Sequence, residues 1–161
     1  MIRPRTRLER ARGPQIATIE HMTPVPPGPS HGVDADRILA QPLFASLSRR
    51  DAEEFAPFCE VRHVEPGRAV FTQGGLAVAF FVIESGEAEA VGDGHPLRRM
   101  GPGDWFGEIA IVEQSPRTAT VAATSPLTVI AMTAFEFRRL EAEHPDIAGT
   151  ITARMQERLQ G

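Results

Sequence analysis

The stretch from Phe106 to Val121, FGEIAIVEQSPRTATV, gathers the residues of this chain whose types and spacing can do chemistry together. Gly107 and Glu108 open a short apolar segment, and Arg117 follows ten residues after Gly107. A short helix beginning near Gly107 would aim free backbone N–H groups at an anion, and a glycine there lets backbone and anion approach closely. Arg117 adds a planar, permanently charged guanidinium that can grip two phosphate oxygens in one plane. Glu108 cannot join that grip, because two anions so close repel, but its carboxylate can accept a hydrogen bond from a hydroxyl. Taken singly, a glutamate in a helix's first turn is ordinarily a dipole partner and an arginine on a strand is ordinarily solvated. The ordered set Gly107, Glu108, Ala110, Arg117, Thr118 and Ala119 is what turns the reading toward an anionic, hydroxyl-bearing ligand.

Such a cassette needs a scaffold, and the sequence around it reads as strands and tight turns. Short β-prone runs cover Val61 to Val64, Ala69 to Thr72, Ala79 to Ile83, Glu87 to Val91, Leu97 to Met100, Thr118 to Ala123 and Leu127 to Met132. Pro66-Gly67, Gly74-Gly75, Ser85-Gly86, Gly92-Asp93-Gly94 and Gly101-Pro102-Gly103-Asp104 supply the turns between them. Before the strands, Ile38, Leu39, Leu43, Phe44 and Leu47 recur at helical spacing with an interruption at Pro42, which predicts two short helices. Ser48 with Asp51 three residues on predicts the cap of a further helix that stops near Cys59. After Thr133 the chain turns helical through Phe135, Phe137 and Leu140 and breaks at His144-Pro145. A last helix is then expected from Pro145 to about Leu159, with Ile147, Ile151, Met155 and Leu159 as its apolar stripe.

Length and composition bound the rest. The 161 residues allow one compact core and a tail, with 42% apolar residues sufficient for the core. Five arginines in the first twelve residues, followed by Pro24, Pro26, Pro27, Gly28 and Pro29, predict a disordered tail over 1–32 and a folded domain over 33–161. The net charge of −4 excludes a general affinity for nucleic acid outside that tail. One cysteine, Cys59, no apolar signal core and no run long enough to cross a bilayer place the chain in the cytoplasm. His21, His31, His63, His95 and His144 include no closely spaced strand pair, so neither a metal site nor a metal-dependent enzyme is expected.

The cassette resembles that of the cyclic-nucleotide-binding family, which includes catabolite activator protein, the regulatory subunit of cAMP-dependent protein kinase and cyclic-nucleotide-gated channels. VEPGRAVFTQG, FFVIESGEAEA and GPGDWFGE follow the family order of strands and turns, and HPDIAGTITARMQERLQ looks like the helix after the roll. The resemblance runs from about Asp34 to Gln160. It implies a mainly β fold with flanking helices: a jelly-roll-like β-roll, short N-terminal helices and two C-terminal helices. The implied ligand is cAMP, with cGMP as the second candidate, and no other cofactor. Gly107, Glu108, Ile109, Ala110, Arg117, Thr118 and Ala119 would form the cassette, with Glu108 accepting from the ribose 2′-hydroxyl. That bond, at about 1.5 to 3 kcal/mol, would separate ribose from deoxyribose ligands by one to two powers of ten. A threonine at the position of Thr118 can accept from the 2-amino group of guanine, and the family pattern places Ala90, Leu97 and Met100 beside the base. The expected function is a stand-alone sensor, not an enzyme, signalling through its C-terminal helices to an unidentified protein partner; the alternative is an interaction module that keeps the roll without the ligand. In the catabolite activator group the long helix runs on to polar contacts with the base and a DNA-reading helix-turn-helix. This chain ends at Gly161, so neither base choice nor DNA binding carries over from that group.

Overall fold

The computed structural model describes residues 32–75, 78–107 and 116–160. The expected tail, and Glu108, Ile109 and Ala110 of the cassette, lie outside the described residues, as does the side chain of Leu159.

Eight strands form two four-stranded antiparallel sheets: β1 (Glu60–Val64), β2 (Ala69–Phe71), β3 (Ala79–Ser85), β4 (Ala88–Gly92), β5 (His95–Met100), β6 (Trp105–Phe106), β7 (Thr120–Ala123) and β8 (Leu127–Thr133). One sheet has the order β1-β8-β3-β6 and the other β2-β7-β4-β5. The two sheets face each other and trap Val64, Phe81, Ile83, Ala88, Met100, Phe106, Val121, Ala123, Val129 and Ala131 between them. Residues of β3 and β8 that alternate with these, Phe80, Val82, Ile130 and Met132, point the other way into a second core shared with the helices. Both strands are therefore buried on both faces, which is why Phe80 to Ile83 and Val129 to Met132 read as unbroken apolar runs.

The helical segments follow the capping chemistry of the sequence. Helix α1 (Ala35–Leu39) starts where Asp34 accepts from the Arg37 amide at 2.9 Å. Pro42, which has no N–H to donate, opens a 3₁₀ turn over Pro42–Phe44 where a second short helix was expected. Ser48 caps α2 (Arg49–Phe55) through the Asp51 amide at 3.0 Å, and the chain tightens into 3₁₀ over Ala56–Phe58 before becoming extended at Cys59. Thr133 caps α3 (Ala134–Glu143), and α4 (Pro145–Gln160) follows the break at His144. Ile147, Ile151 and Met155 of α4 are buried as the periodicity predicts. Phe137 and Leu140 of α3 are buried too, but Phe135 is 70% exposed, because it falls off the face that meets the roll.

Several strand bounds differ from expectation, and one short strand is added. Thr118 and Ala119 form a bend, so β7 begins at Thr120, where pairing with Val91 of β4 starts. Strand β5 begins two residues before Leu97, because His95 and Pro96 already oppose Gly92 and Val91. The two-residue strand β6, pairing with Phe81 and Val82, is too short to give an alternation signal of its own. The Ser85-Gly86 turn is fixed by space as well as by its φ of +90°: a Cβ on Gly86 would stand 2.1 Å from the Pro126 carbonyl oxygen.

Candidate functional site

The roll brings the two ends of the cassette together. Gly107 leaves β6 at φ +86°, a left-handed conformation that favours glycine. Arg117, 6% exposed, extends its guanidinium to that turn: Nη1 donates to the Gly107 carbonyl oxygen at 3.0 Å and Nη2 donates to the Ala79 carbonyl oxygen. The guanidinium carbon lies over the ring of Phe71, 3.8 Å from its centroid. A Cβ on Gly107 would meet Arg117 Nη1 at 2.9 Å, the Ala79 carbonyl at 3.1 Å and Phe71 Cε2 at 3.3 Å, so only glycine fits where these groups converge.

The backbone of Arg117 is held with equal care. Its amide donates to the Gly75 carbonyl at 3.1 Å, and its carbonyl accepts from the Gly74 amide at 2.8 Å. Next to this pair, the Gln73 amide donates to Thr120 Oγ1 at 2.9 Å. The Gln73 side chain reaches across to the β4–β5 turn, where Oε1 accepts from the Asp93 amide and Nε2 donates to Asp93 Oδ1, each at 2.9 Å. Asp93 is itself in the left-handed region at φ 51°, a conformation that aspartate tolerates better than most residues. The loop after β2 is thus laced both to the arginine and to the hairpin beyond it.

The remaining candidates occupy different surroundings. Thr118 is exposed in its bend and Ala119 half-buried. Met100 is 4% exposed in the core between the sheets, and Ala90 packs against that core. Leu97 is 61% exposed and sits in the register shift where β5 passes from Arg98 opposite Ala90 to Pro96 opposite Val91. Its Cδ1 covers the backbone of Gly92, 2.8 Å from where a Cβ would stand, and the Thr118 carbonyl lies 3.6 Å from the same point. Leu97 and Thr118 therefore border one patch of the β4–β5 hairpin, whereas Met100 lies in, and Ala90 packs against, the core between the sheets.

Sequence reasoning missed Phe71, Gln73 and the Ala79 carbonyl. Phe71 and Gln73 flank a strand end with no motif of their own, and a backbone carbonyl leaves no mark in the sequence. Nothing among the described residues adds a reactive or metal-binding centre. Burial pushes the Cys59 thiol well above its ordinary pKa, which disfavours the nucleophilic thiolate. No group of three or more His, Cys, Asp or Glu among the described residues could hold a metal ion.

The family model for the cyclic nucleotide-binding domain matches residues 61–144, which contain both ends of the cassette and all the contacts around Arg117. The chain belongs to the cyclic nucleotide-binding domain family. Among curated relatives of the domain, the cAMP-dependent protein kinase regulatory subunit of Eremothecium gossypii is 36% identical over 106 residues, covering 65% of this chain and 23% of the relative. A cyclic nucleotide-gated potassium channel of Rhizobium etli is 31% identical over 124 residues, covering 77% of this chain and 35% of the channel. The matched domain spans about a quarter of the length of the regulatory subunits it resembles. Among solved structures, a cyclic nucleotide-binding domain from Methylobacillus flagellatus superposes with a TM-score of 0.70 at 18% identity, covering 78% of this chain and 76% of the other. The regulatory domain of Toxoplasma gondii PKA, solved with cAMP, gives a TM-score of 0.64 at 21% identity, covering 76% of this chain and 48% of the other. At those identities the structures establish the β-roll fold of the domain. No helix among the described residues is long and apolar enough to cross a membrane.

Proposed function

We propose that this domain is a cyclic-nucleotide sensor that takes cAMP, with cGMP as the second candidate, into the Phe106 to Val121 cassette and passes its state through α3 and α4 to a protein partner. The observation that carries the reading is the convergence of Gly107 and Arg117, a glycine turn and a buried guanidinium 3.0 Å apart at the two ends of one cassette. In this reading the in-plane N–H groups of Arg117 exchange carbonyl oxygens for phosphate oxygens, which carry a full charge and bind a guanidinium more strongly. Glu108 accepts from the ribose 2′-hydroxyl, and Ile109 and Ala110 belong to the same cassette. Ala119, Thr118 and the hairpin residues Ala90, Leu97 and Met100 serve the ribose and base side. The match to regulatory subunits and a gated channel supports a regulatory, non-catalytic role.

One observation favours a second reading. Arg117 already ties Gly107, Ala79 and Phe71 into one unit, as a structural rivet in an interaction module would. Calorimetric titration with cAMP and with cGMP separates the two. Saturable uptake of either nucleotide, weakened about 30-fold to several thousand-fold by Arg117→Ala, supports the sensor. A blank titration with both nucleotides would leave the interaction module.

A further inference from the structure

Three arginine–aromatic contacts occur among the described residues, and the one at Arg117 stands apart: its guanidinium carbon is 3.8 Å from the Phe71 centroid, against 5.0 Å for Arg139 over Phe58 and 5.8 Å for Arg62 over Phe81. At that distance the guanidinium covers the ring face, and its donors are directed away from the ring toward the Gly107 and Ala79 carbonyls. The ring is itself fixed. Its centroid is 5.9 Å from that of Phe81 and 5.7 Å from that of Phe106, and Phe81 and Phe106 stack on each other at 5.3 Å. Phe71 also forms one wall of the space that Gly107 leaves open.

We propose that Phe71 is a positioning residue for the phosphate grip: its ring face sets the plane of the Arg117 guanidinium so that the in-plane donors meet an anion beside Gly107. This rests on the cyclic-nucleotide reading of the cassette. The ring's negative face attracts the cation without consuming a donor, which leaves the N–H groups of the fork for oxygen acceptors. An aliphatic side chain would fill much of the same space but supply no such face, and the guanidinium would be free to tilt. The three rings anchor this shelf to the core between the sheets, so the plane of the arginine is set by the roll itself.

The test titrates cAMP into wild type, Phe71→Leu and Phe71→Tyr, and repeats the Leu substitution in an Arg117→Lys background, where the charge remains but no planar fork is left to align. Thermal midpoints are taken in parallel, and Phe71→Met replaces the leucine variant if the latter loosens the fold. The expected results are a loss of about 3- to 30-fold for Phe71→Leu, near wild-type affinity for Phe71→Tyr, and a loss under about 2-fold for Phe71→Leu in the lysine background. If tyrosine loses as much as leucine, or leucine costs the same factor in both backgrounds, Phe71 is packing only and the inference fails while the sensor reading stands. If wild type takes up neither cAMP nor cGMP, the sensor reading fails and the role of Phe71 with it, a result visible in the wild-type titration alone.

Discussion

At the scale of single residues, the chemistry of the cassette depends on side chains that are cheap to name and hard to place. The sequence pairs Gly107 with Arg117 because a proposed anion site needs a close backbone and a fixed charge, and the structure brings the two within hydrogen-bond reach. The Phe71 ring beneath the arginine was not legible in the sequence, because the contact depends on the irregular pairing of β2 with β7, where the register shifts between Ala69 and Phe71. The sequence predicts Thr118 as the first residue of a strand, and the structure puts it in an exposed bend beside the β4–β5 hairpin. That position takes its backbone out of the β7 ladder, and its carbonyl and Leu97 both lie beside Gly92, on the side where the reading puts the base. Thr118→Ala is therefore expected to cost about 2- to 13-fold in affinity for cGMP and little for cAMP, since only guanine offers a 2-amino donor. Parallel titrations with the two nucleotides check this. Equal losses would assign Thr118 to the phosphate side, and no loss would leave it a bend residue.

At the scale of elements, the roll was legible wherever one physical cause acted alone. Continuous apolar runs marked β3 and β8 because one sheet and a layer of helices bury opposite faces of the same strands. Ser48 is the cap that the sequence predicts, and the structure adds caps at Asp34 and Thr133 by the same side-chain-to-amide bond. Where causes competed, the sequence was ambiguous: β6 lies between Asp104 and Gly107 and exists only because Phe81 and Val82 offer it partners. Phe135 and Phe137, two apart in a helix, face different ways, and it is Phe137, on one face with Leu140, that α3 buries. The difference is measurable in urea. Met155→Ala, truncating a fully buried side chain of α4, is expected to cost about 2 to 5 kcal/mol, whereas Phe135→Ala is expected to stay within about 0.5 kcal/mol. A large loss at Phe135 would mean that α3 is covered by something more than the roll.

At the scale of the whole molecule, the two ends of the described chain are fastened to the roll and to each other. The Arg37 guanidinium pairs with Glu84 at the end of β3, with Nε donating to Oε2 at 2.7 Å, and this hydrogen bond raises the pKa of the arginine. From the other end, Arg154 of α4 donates through Nη2 to the Pro42 carbonyl at 2.9 Å. Residues before β1 and residues of α3 and α4 share one core with β3 and β8, so a shift of α4 would be felt by the N-terminal helices as well. For the tail expected over 1–32 the composition makes a prediction of its own. Its arginine and proline content predicts that a chain beginning at Gly32 keeps the thermal midpoint of the full sequence and the nucleotide affinity proposed for it, and a clear loss of either would show that the tail packs on the domain. The proposed signalling through α4 makes a stricter demand. A nucleotide can move the helix only if it binds one arrangement more tightly than the other, and its reach is limited to that difference. Hydrogen exchange reports such a shift directly, because amides of α4 exchange through openings whose free energy the ligand would change. Saturating cAMP is expected to alter exchange over Ile147 to Met155 and around Pro42 together, since Arg154 joins them. With Arg117→Ala at the same cAMP concentration the change should vanish, because too little ligand is bound. If exchange over α4 stays constant in wild type while calorimetry shows the site filled, the nucleotide is held without the helices being told, and the partner must read another face of the roll.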